Sequence, residues 1–407
     1  MVMVFFILLN YGDFLLTKIG CFRLTLFGDY LLTLTTITGG YAFDSLKMTQ
    51  KGEYQIIKMG NLYNGIFDLS RNSSFINAPT KKELDYLIQE NDILITLTGT
   101  TNKKDYGYTV QMEQPKNLLL NQRCALIRAS KVNEKYLFYL LNSNDFLKQF
   151  YASSTGGTGN QTNVSINDML DFKVCISNEN DQLKISNILS ALDKKILTQI
   201  KIIDDYMTYR NAIVDYFFES LSSDWNRIKL SNILKEYSEL HVKDNSIVHA
   251  TLSKEGIFPK TDRYDRDFLV KDEDKKYKVT HLNDICYNPA NLKFGVITRN
   301  TIGDCIISPI YVTFKIENGF LPKFVELLVT RKRFISRARK YEQGTVYERM
   351  AVNSSDLLSM YVSIPSLNTQ QTIVNIINNI DNKISNEKEL LKLYRAQKVY
   401  LLKNMFI

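Results

Sequence analysis

The chain has 407 residues, 44% apolar and 23% charged, the composition of a soluble globular protein long enough for two or more domains. Its 51 Lys and Arg against 43 Asp and Glu leave a net charge of +8, which permits a nucleic-acid partner without requiring one. Five cysteines (Cys21, Cys124, Cys175, Cys286, Cys305) stand singly, which argues against a disulfide framework or a zinc site and suits a reducing cytoplasm. His241, His249 and His281 are likewise spread out, and each reads as a structural or solvent-facing residue ahead of a metal ligand.

The opening "MVMVFFILLN" has the apolar core of a signal peptide. It lacks a basic start and a small-residue cleavage site, and Asp13 interrupts it short of a bilayer span. Residues 1–21 therefore read as an N-terminal extension, an edge strand or packing arm, or as the product of a start codon placed too early. No membrane anchor is expected.

Residues 22–180 read as a mixed α+β domain with short β-rich runs, "YQIIKMGNL", "DILITLTGT" and "RCALIRAS", and an amphipathic helix over 134–151. Residues 181–224 follow as a long helix. A second domain at 225–368 carries "YVTFKIEN", and residues 369–407 form a second long helix.

The two helices are copies. "SNILSALDKKI" (186–196) and "VNIINNIDNKI" (374–384) share five of eleven residues at an offset of 188, too many for two unrelated apolar helices. In the first copy an apolar seam with spacings of three and four runs Leu189, Leu192, Ile196, Gln199, Ile203, Tyr206, Arg210, Ile213, Phe217. In the second it runs Ile377, Ile380, Ile384, Glu387, Leu391, Tyr394, Lys398, Leu401, Met405. Such a heptad seam predicts a coiled coil, and the polar breaks at matching places suggest register control. An antiparallel pairing centred between positions 204 and 205 is expected to set Glu387 near Arg210 and Gln199 near Lys398. Parallel pairing would put Arg210 beside Lys398, two like charges.

The duplication extends upstream. "VSINDMLDFKVCI" (164–176) aligns with "VNSSDLLSMYVSI" (352–364), and "YLFYLLNSNDFLKQF" (136–150) with "KFVELLVTRKRFISR" (323–337). "NDIL" at 91 answers "NDIC" at 283, and "FRLTLFGDY" at 22 is set against "NRIKLSNIL" at 226. The order is domain, helix, domain, helix, a tandem duplication rather than a solenoid.

Enzyme signatures are missing. No Gly-rich strand-to-helix turn and no Walker-type loop occurs. "TGGTGN" (155–160) has backbone amides for a phosphate but lies between a helix and a strand, the wrong context. "YNPAN" (287–291) lacks the second Pro and stacking ring of an amino-methyltransferase motif. No carboxylate cluster with a Lys suggests a nuclease, and no Ser/His/Asp set can be assembled.

Binding chemistry is better supplied. Residues 323–349 hold eight basic residues (Lys323, Arg331, Lys332, Arg333, Arg337, Arg339, Lys340, Arg349) against three acidic ones, with Tyr341 and Tyr347 interleaved. That excess suits a phosphate backbone, although a solvated helix face has the same composition. The first domain offers an uncharged counterpart, "SSTGGTGNQTNV" (153–164), whose Asn and Gln side chains can pair with base edges. An ordinary mobile loop reads the same way.

With these residues assembled, the chain resembles the specificity subunit of type I restriction–modification enzymes from about Phe22 onward. The resemblance rests on the doubled order, the "Q…I…IL…LD.KI" helices from Gln182 and Gln370, and "ITGGYAF" (37–43) and "LNQRCALIR" (120–128) in the first domain. "YKVTHLNDICYNP" (277–289), "SPIYVTF" (308–314) and "GTVYERMAV" (344–352) carry it in the second. It implies an α+β protein of two tandem target recognition domains and two long helices forming an antiparallel coiled coil with pseudo-twofold symmetry. Each domain would read one half of a split site on double-stranded DNA. The helices, each about 60 Å for about 40 residues, would space the domains and dock two methyltransferase subunits, joined by restriction/translocase subunits.

The subunit itself would be non-catalytic and bind no cofactor, with S-adenosylmethionine, ATP and Mg on its partners. Candidate DNA contacts are Lys58, Asn61, Lys103, Lys104, Gln122, Arg123, Thr158, Asn160, Gln161 and Asn163 in the first domain. In the second they are Lys293, Arg299, Lys332, Arg333, Arg337, Arg339, Lys340, Tyr347 and Arg349. The coiled-coil interface is assigned to Leu192, Ile196, Gln199, Ile203, Tyr206, Arg210, Ile380, Ile384, Glu387, Leu391, Tyr394 and Lys398. Two other readings stand beside this one: the specificity subunit of another multi-subunit restriction or phage-defence system, and a coiled-coil adaptor that binds no DNA.

Overall fold

The computed structural model describes residues 2–9, 16–24, 26–101, 103–156, 161–221, 224–242, 246–260, 276–343 and 350–406, with side chains from Gly28 onward. The chain divides into two compact units, residues 1–200 with 390–407, and residues 201–389. Each combines one globular domain with half of each long helix. The helices, Glu179–Ser220 and Leu367–Asn404, occupy the stretches without Gly or Pro that the duplication marked.

In the first unit a four-stranded antiparallel sheet has the order Thr35–Gly39, Cys124–Ala129, Ile93–Thr96, Thr109–Gln111. The second unit repeats it as Leu234–Tyr237, Val312–Ile316, Ile285–Tyr287, Ile297–Arg299. Each unit adds a second sheet with one parallel pair, Leu118–Leu120 on Tyr54–Ile57 and Cys305–Ile307 on Val248–Ser253. The turn into the third strand of each main sheet is the same device. Asn91 and Asn283 sit at φ 66° and 75°, a left-handed conformation that Asn tolerates better than most residues. The following carboxylates, Asp92 and Asp284, each accept the backbone N–H three residues upstream, from Gln89 and His281, at 2.7 Å.

Residues 134–151 form two helices, Glu134–Leu140 and Asn144–Ala152, rather than the single one expected. Ser143 separates them, its hydroxyl accepting the Phe146 N–H at the start of the second. The expected match of Phe22 with Asn226 is displaced by five residues. Gly28 pairs with Cys175 as Arg227 pairs with Ser363, and the Leu31 and Leu230 N–H groups bond to Phe172 and Met360 carbonyls. The equivalence therefore begins at Phe27. Leu24 and Arg23 instead pair with Val2 and Met3 in a hairpin of Val2–Leu9 and Leu16–Leu24.

Both long helices pack into each core. In the first unit Ile185, Leu189 and Leu192 join Tyr394, Leu401, Met405 and Phe406 over Leu31, Ile127, Tyr136 and Phe146. In the second, Val214, Phe218, Ile373, Val374 and Ile377 cover Leu230, Ile285, Phe314 and Phe324. Phe406 lies 5.1 Å from Tyr136 and Phe218 lies 5.2 Å from Phe324, so the repeat fills its cores alike. A shared joint completes the attachment. Buried Gln182 accepts the Asn133 N–H and donates to the Ser177 carbonyl, while Gln370 does the same with Leu321 and Pro365.

The helices run antiparallel within each unit. Lys398 bonds to Asp193 at 2.6 Å while Lys195 lies 5.8 Å over Tyr394, so one residue number rises as the other falls. The expected register is displaced by three residues. Arg210 pairs with Asp381, not with Glu387, and Lys398 pairs with Asp193, not with Gln199. These pairs place the centre between positions 201 and 202 of the first helix. Gln199 and Glu387 are buried to 3% and 2% exposure, and Lys383 reaches Glu387 at 2.8 Å. Leu192, Ile203, Ile384 and Tyr394 are buried, and Ile196, Tyr206, Ile380 and Leu391 half-buried, as a seam requires.

Candidate nucleic-acid interface

The units share a hairpin stem before the last strand of each domain. In the first unit Thr155 pairs with Asn163, and Thr98–Thr100 extends the ribbon on the far side of Gln161–Asn163. In the second, Gln343 pairs with Ala351, the equivalent positions of the repeat. The stems are anchored alike, the Val164 and Val352 N–H groups bonding to the Leu97 and Pro289 carbonyls at 3.1 and 3.2 Å. Thr158, Asn160, Tyr347 and Arg349 lie outside the described residues.

Around the first stem the structure gathers most of the polar candidates. Gln161 and Asn163 are exposed on the ribbon, and the Thr98 hydroxyl orients Asn163 through a 2.9 Å bond to Oδ1. Leu97 accepts the Val164 N–H and donates its own to the Arg123 carbonyl, which brings exposed Gln122 and Arg123 beside the ribbon. Lys103 and Lys104 are exposed on the turn after Thr98–Thr100. Asp105 closes that turn by accepting the Thr100 N–H and hydroxyl, bonds that hold its carboxyl below the usual range. Gly99 permits the closure, because a Cβ there would lie 2.4 Å from the Tyr106 ring.

Two first-domain candidates lie elsewhere. Asn61 is fully buried, its Oδ1 accepting the Lys58 N–H and its Nδ2 donating to the Asp68 and Arg71 carbonyls. With its whole amide engaged it closes a loop and cannot also face a base. Lys58 donates to Ser74 Oγ at 2.6 Å and braces the same loop.

Arg71 and Tyr63 of this loop form a stack that sequence reasoning missed. Arg71 lies 5.5 Å over Tyr63, which is half exposed and packs edge-on to Tyr108 at 5.6 Å. Further along, Lys104 lies 5.2 Å over Tyr151, which packs edge-on to Tyr106. Cations over tyrosine rings suit phosphate and sugar contacts. No periodicity announces them, since Tyr63, Tyr108 and Tyr151 come from three separate elements.

In the second unit the basic segment divides. Exposed Lys293 sits over Phe294 on the Pro289–Phe294 turn that anchors the hairpin, and exposed Lys332 and Lys340 have no ion-pair partner among the described residues. The arginines are engaged within the chain. Arg333 pairs with Glu219 at 2.8 Å, Arg337 donates to the Tyr361 carbonyl at 2.7 Å, and Arg339 pairs with Glu342. Arg331 is 10% exposed, stacks 4.5 Å over Phe218 and bonds to Asp215 and Glu219; burial lowers its pKa. Arg299 is enclosed too, held by Glu326 and Asn283, so as a phosphate contact it is corrected to an internal link. Much of the charge excess thus fastens the domain to the central helix.

Among the described residues, no group of three or more His, Cys, Asp or Glu is placed to hold a metal ion. Among the described residues, Cys124, Cys175, Cys286 and Cys305 are free thiols, and burial pushes Cys124 and Cys286 up to about 12, far from thiolate reactivity.

A family model described as the type I restriction modification DNA specificity domain matches residues 33–203 and 274–393. The chain belongs to this family. The two matches fall one on each domain, each running on into the long helix that follows. The specificity domains are non-catalytic, in keeping with the absence of enzyme motifs in the sequence. The fold is similar to the S subunit of a type I restriction–modification system from M. genitalium, with 16% identity and a TM-score of 0.53 over 95% of this chain and 97% of that one. It is also similar to a protein whose structure addresses complex assembly and conformational transition of the type I R-M system. That likeness has 12% identity and a TM-score of 0.56, over 94% and 99% of the two chains. No curated protein sequence matches. Among the described residues, no helix is long and apolar enough to cross a membrane.

Proposed function

We propose that this specificity subunit reads a bipartite site on double-stranded DNA, one half with each unit. The observation that carries the reading is the repeated stem: each of the two specificity domains holds the same strand pairing, Thr155 with Asn163 and Gln343 with Ala351, on the same backbone anchor. In the first, Gln161, Asn163 and Gln122 supply amides for base edges, while Lys103, Lys104 and Arg123 supply phosphate contacts. In the second, Lys293, Lys332 and Lys340 supply phosphate contacts, and Tyr347 and Arg349 are assigned to the DNA from the sequence alone.

The long helices space the two domains and carry two methyltransferase subunits, with restriction/translocase subunits joining the complex in the cytoplasm. S-adenosylmethionine, ATP and Mg act on those partners. The likeness to a type I R-M structure that addresses complex assembly supports this. Sequencing the modified bases of host DNA with and without this gene tests it. The expected motif has two short specified halves around unspecified bases, and exchanging residues 22–180 for another member's first domain should change one half only. A continuous motif, or a swap that changes both halves, would reject the reading.

A further inference from the structure

A chain of charge-assisted bonds crosses the second unit from the long helices to the main sheet. Arg210 of the central helix binds Asp381 of the C-terminal helix, and Asp381 accepts Lys323 Nζ at 3.2 Å. Lys323 also reaches Glu326 at 3.4 Å, Glu326 accepts Arg299 Nε at 3.0 Å, and Arg299 donates to Asn283 Oδ1 at 2.6 Å. The five charges alternate in sign, so Asp381, Lys323 and Glu326 each have an opposite charge on either side. Their side chains are 17–30% exposed. The chain ends on the left-handed Asn283 turn that starts the third strand of the main sheet.

The first unit answers with less. Asp193, the equivalent of Asp381, is held by Lys398 and by the Tyr139 hydroxyl at 2.9 Å, a neutral donor. Its turn carboxylate, Asp92, belongs to a separate pair with Arg128.

Shielded ion networks add little stability beyond what apolar packing of equal volume would, and their attested use is to fix geometry. We propose that the Arg210–Asp381–Lys323–Glu326–Arg299–Asn283 network holds the second recognition domain at a fixed angle on the spacer helices. It thereby sets how strictly the spacing between half-sites is enforced. This rests on the bipartite reading above. The residues act through position and touch no DNA, which is why Arg299 is enclosed.

Lys323 joins the helix side of the network to the sheet side. Lys323→Gln cuts that link while leaving Arg210–Asp381 and Arg299–Glu326 paired, so the domain keeps both ion pairs. The complex with its modification subunits is given duplexes carrying both half-sites at native spacing, one base pair shorter and one longer, and methylation rates are compared. The expected result is that preference for native spacing falls about threefold to tenfold, tenfold being about 1.4 kcal/mol, with half-site preference unchanged. Glu326→Gln should act in the same direction. Unchanged spacing preference in both variants, or an equal loss on all three duplexes together with a lower melting temperature, overturns the proposal. If the unaltered complex shows no bipartite preference, the functional reading fails first; if it does and the variants match it, only the network fails.

Discussion

Lys398 meets Asp193 at 2.6 Å in the first unit, and the same two positions of the repeat meet as Arg210 and Asp381 in the second. One helix supplies the carboxylate and the other the cation each time, so the pairs fix antiparallel register.

Exchanging the two charges in the first unit checks this. Asp193→Lys and Lys398→Asp alone should each destabilise the chain by about 1–2 kcal/mol, since a partly shielded charged group loses its partner. The double exchange should recover at least about 0.5 kcal/mol in a double-mutant cycle followed by thermal unfolding. Additive losses would place these residues apart in solution.

The DNA surface predicted from the structure differs from the bare list of basic residues. Replacing Lys103, Lys104, Arg123, Lys332 or Lys340 by Ala should lower the slope of log affinity against log salt by about one per lost contact. Arg71→Ala and Tyr63→Ala should weaken binding on the first half-site. Asn61→Ala should leave the slope unchanged and lower the melting temperature instead, because it strands the buried donors and acceptors of its loop.

Gly40 lies in the motif "ITGGYAF", and a Cβ there would stand 2.1 Å from the Asn121 carbonyl oxygen. The Tyr41 N–H is bonded to Leu120 and cannot move away cheaply. Gly40→Ala should therefore cost about 2–3 kcal/mol, read by chemical denaturation, and an unchanged midpoint would show that the strands can part.

His281 lies between Asp304 (3.0 Å from Nδ1) and Glu239 (3.1 Å from Nε2), stacked on Tyr237 near Asp284. Burial lowers its pKa, but the hydrogen bonds and charges of the carboxylates outweigh it and the net shift is upward. A raised folded value means its contribution is complete below the unfolded value of about 6.5 and fades as pH rises through the folded one. The melting-temperature gap between the unaltered chain and His281→Asn should narrow from pH 6 to pH 9. A gap independent of pH would mean the imidazole is not charged in this site.

The sequence by itself determined the architecture. Five identities in eleven at a fixed offset can be read without coordinates, and a heptad seam sustained through a stretch without Gly or Pro can form one kind of element only. The α+β class, the two domains, the long helices and their direction followed from periodicity and charge. The register did not, because Gln199, Glu387, Arg210 and Lys398 mark candidate partners without saying which carboxylate lies within reach. Asp193 and Asp381, just off the seam, hold that role through side chains that reach around it. The interface was legible only in part for the same reason. Composition counts charges, but only tertiary contacts show that Arg299, Arg331 and Arg333 are spent on Glu326, Asp215 and Glu219, or that Asn61 is sealed inside a loop. A residue's type fixes which bonds it can make, and the fold decides which of them are already made.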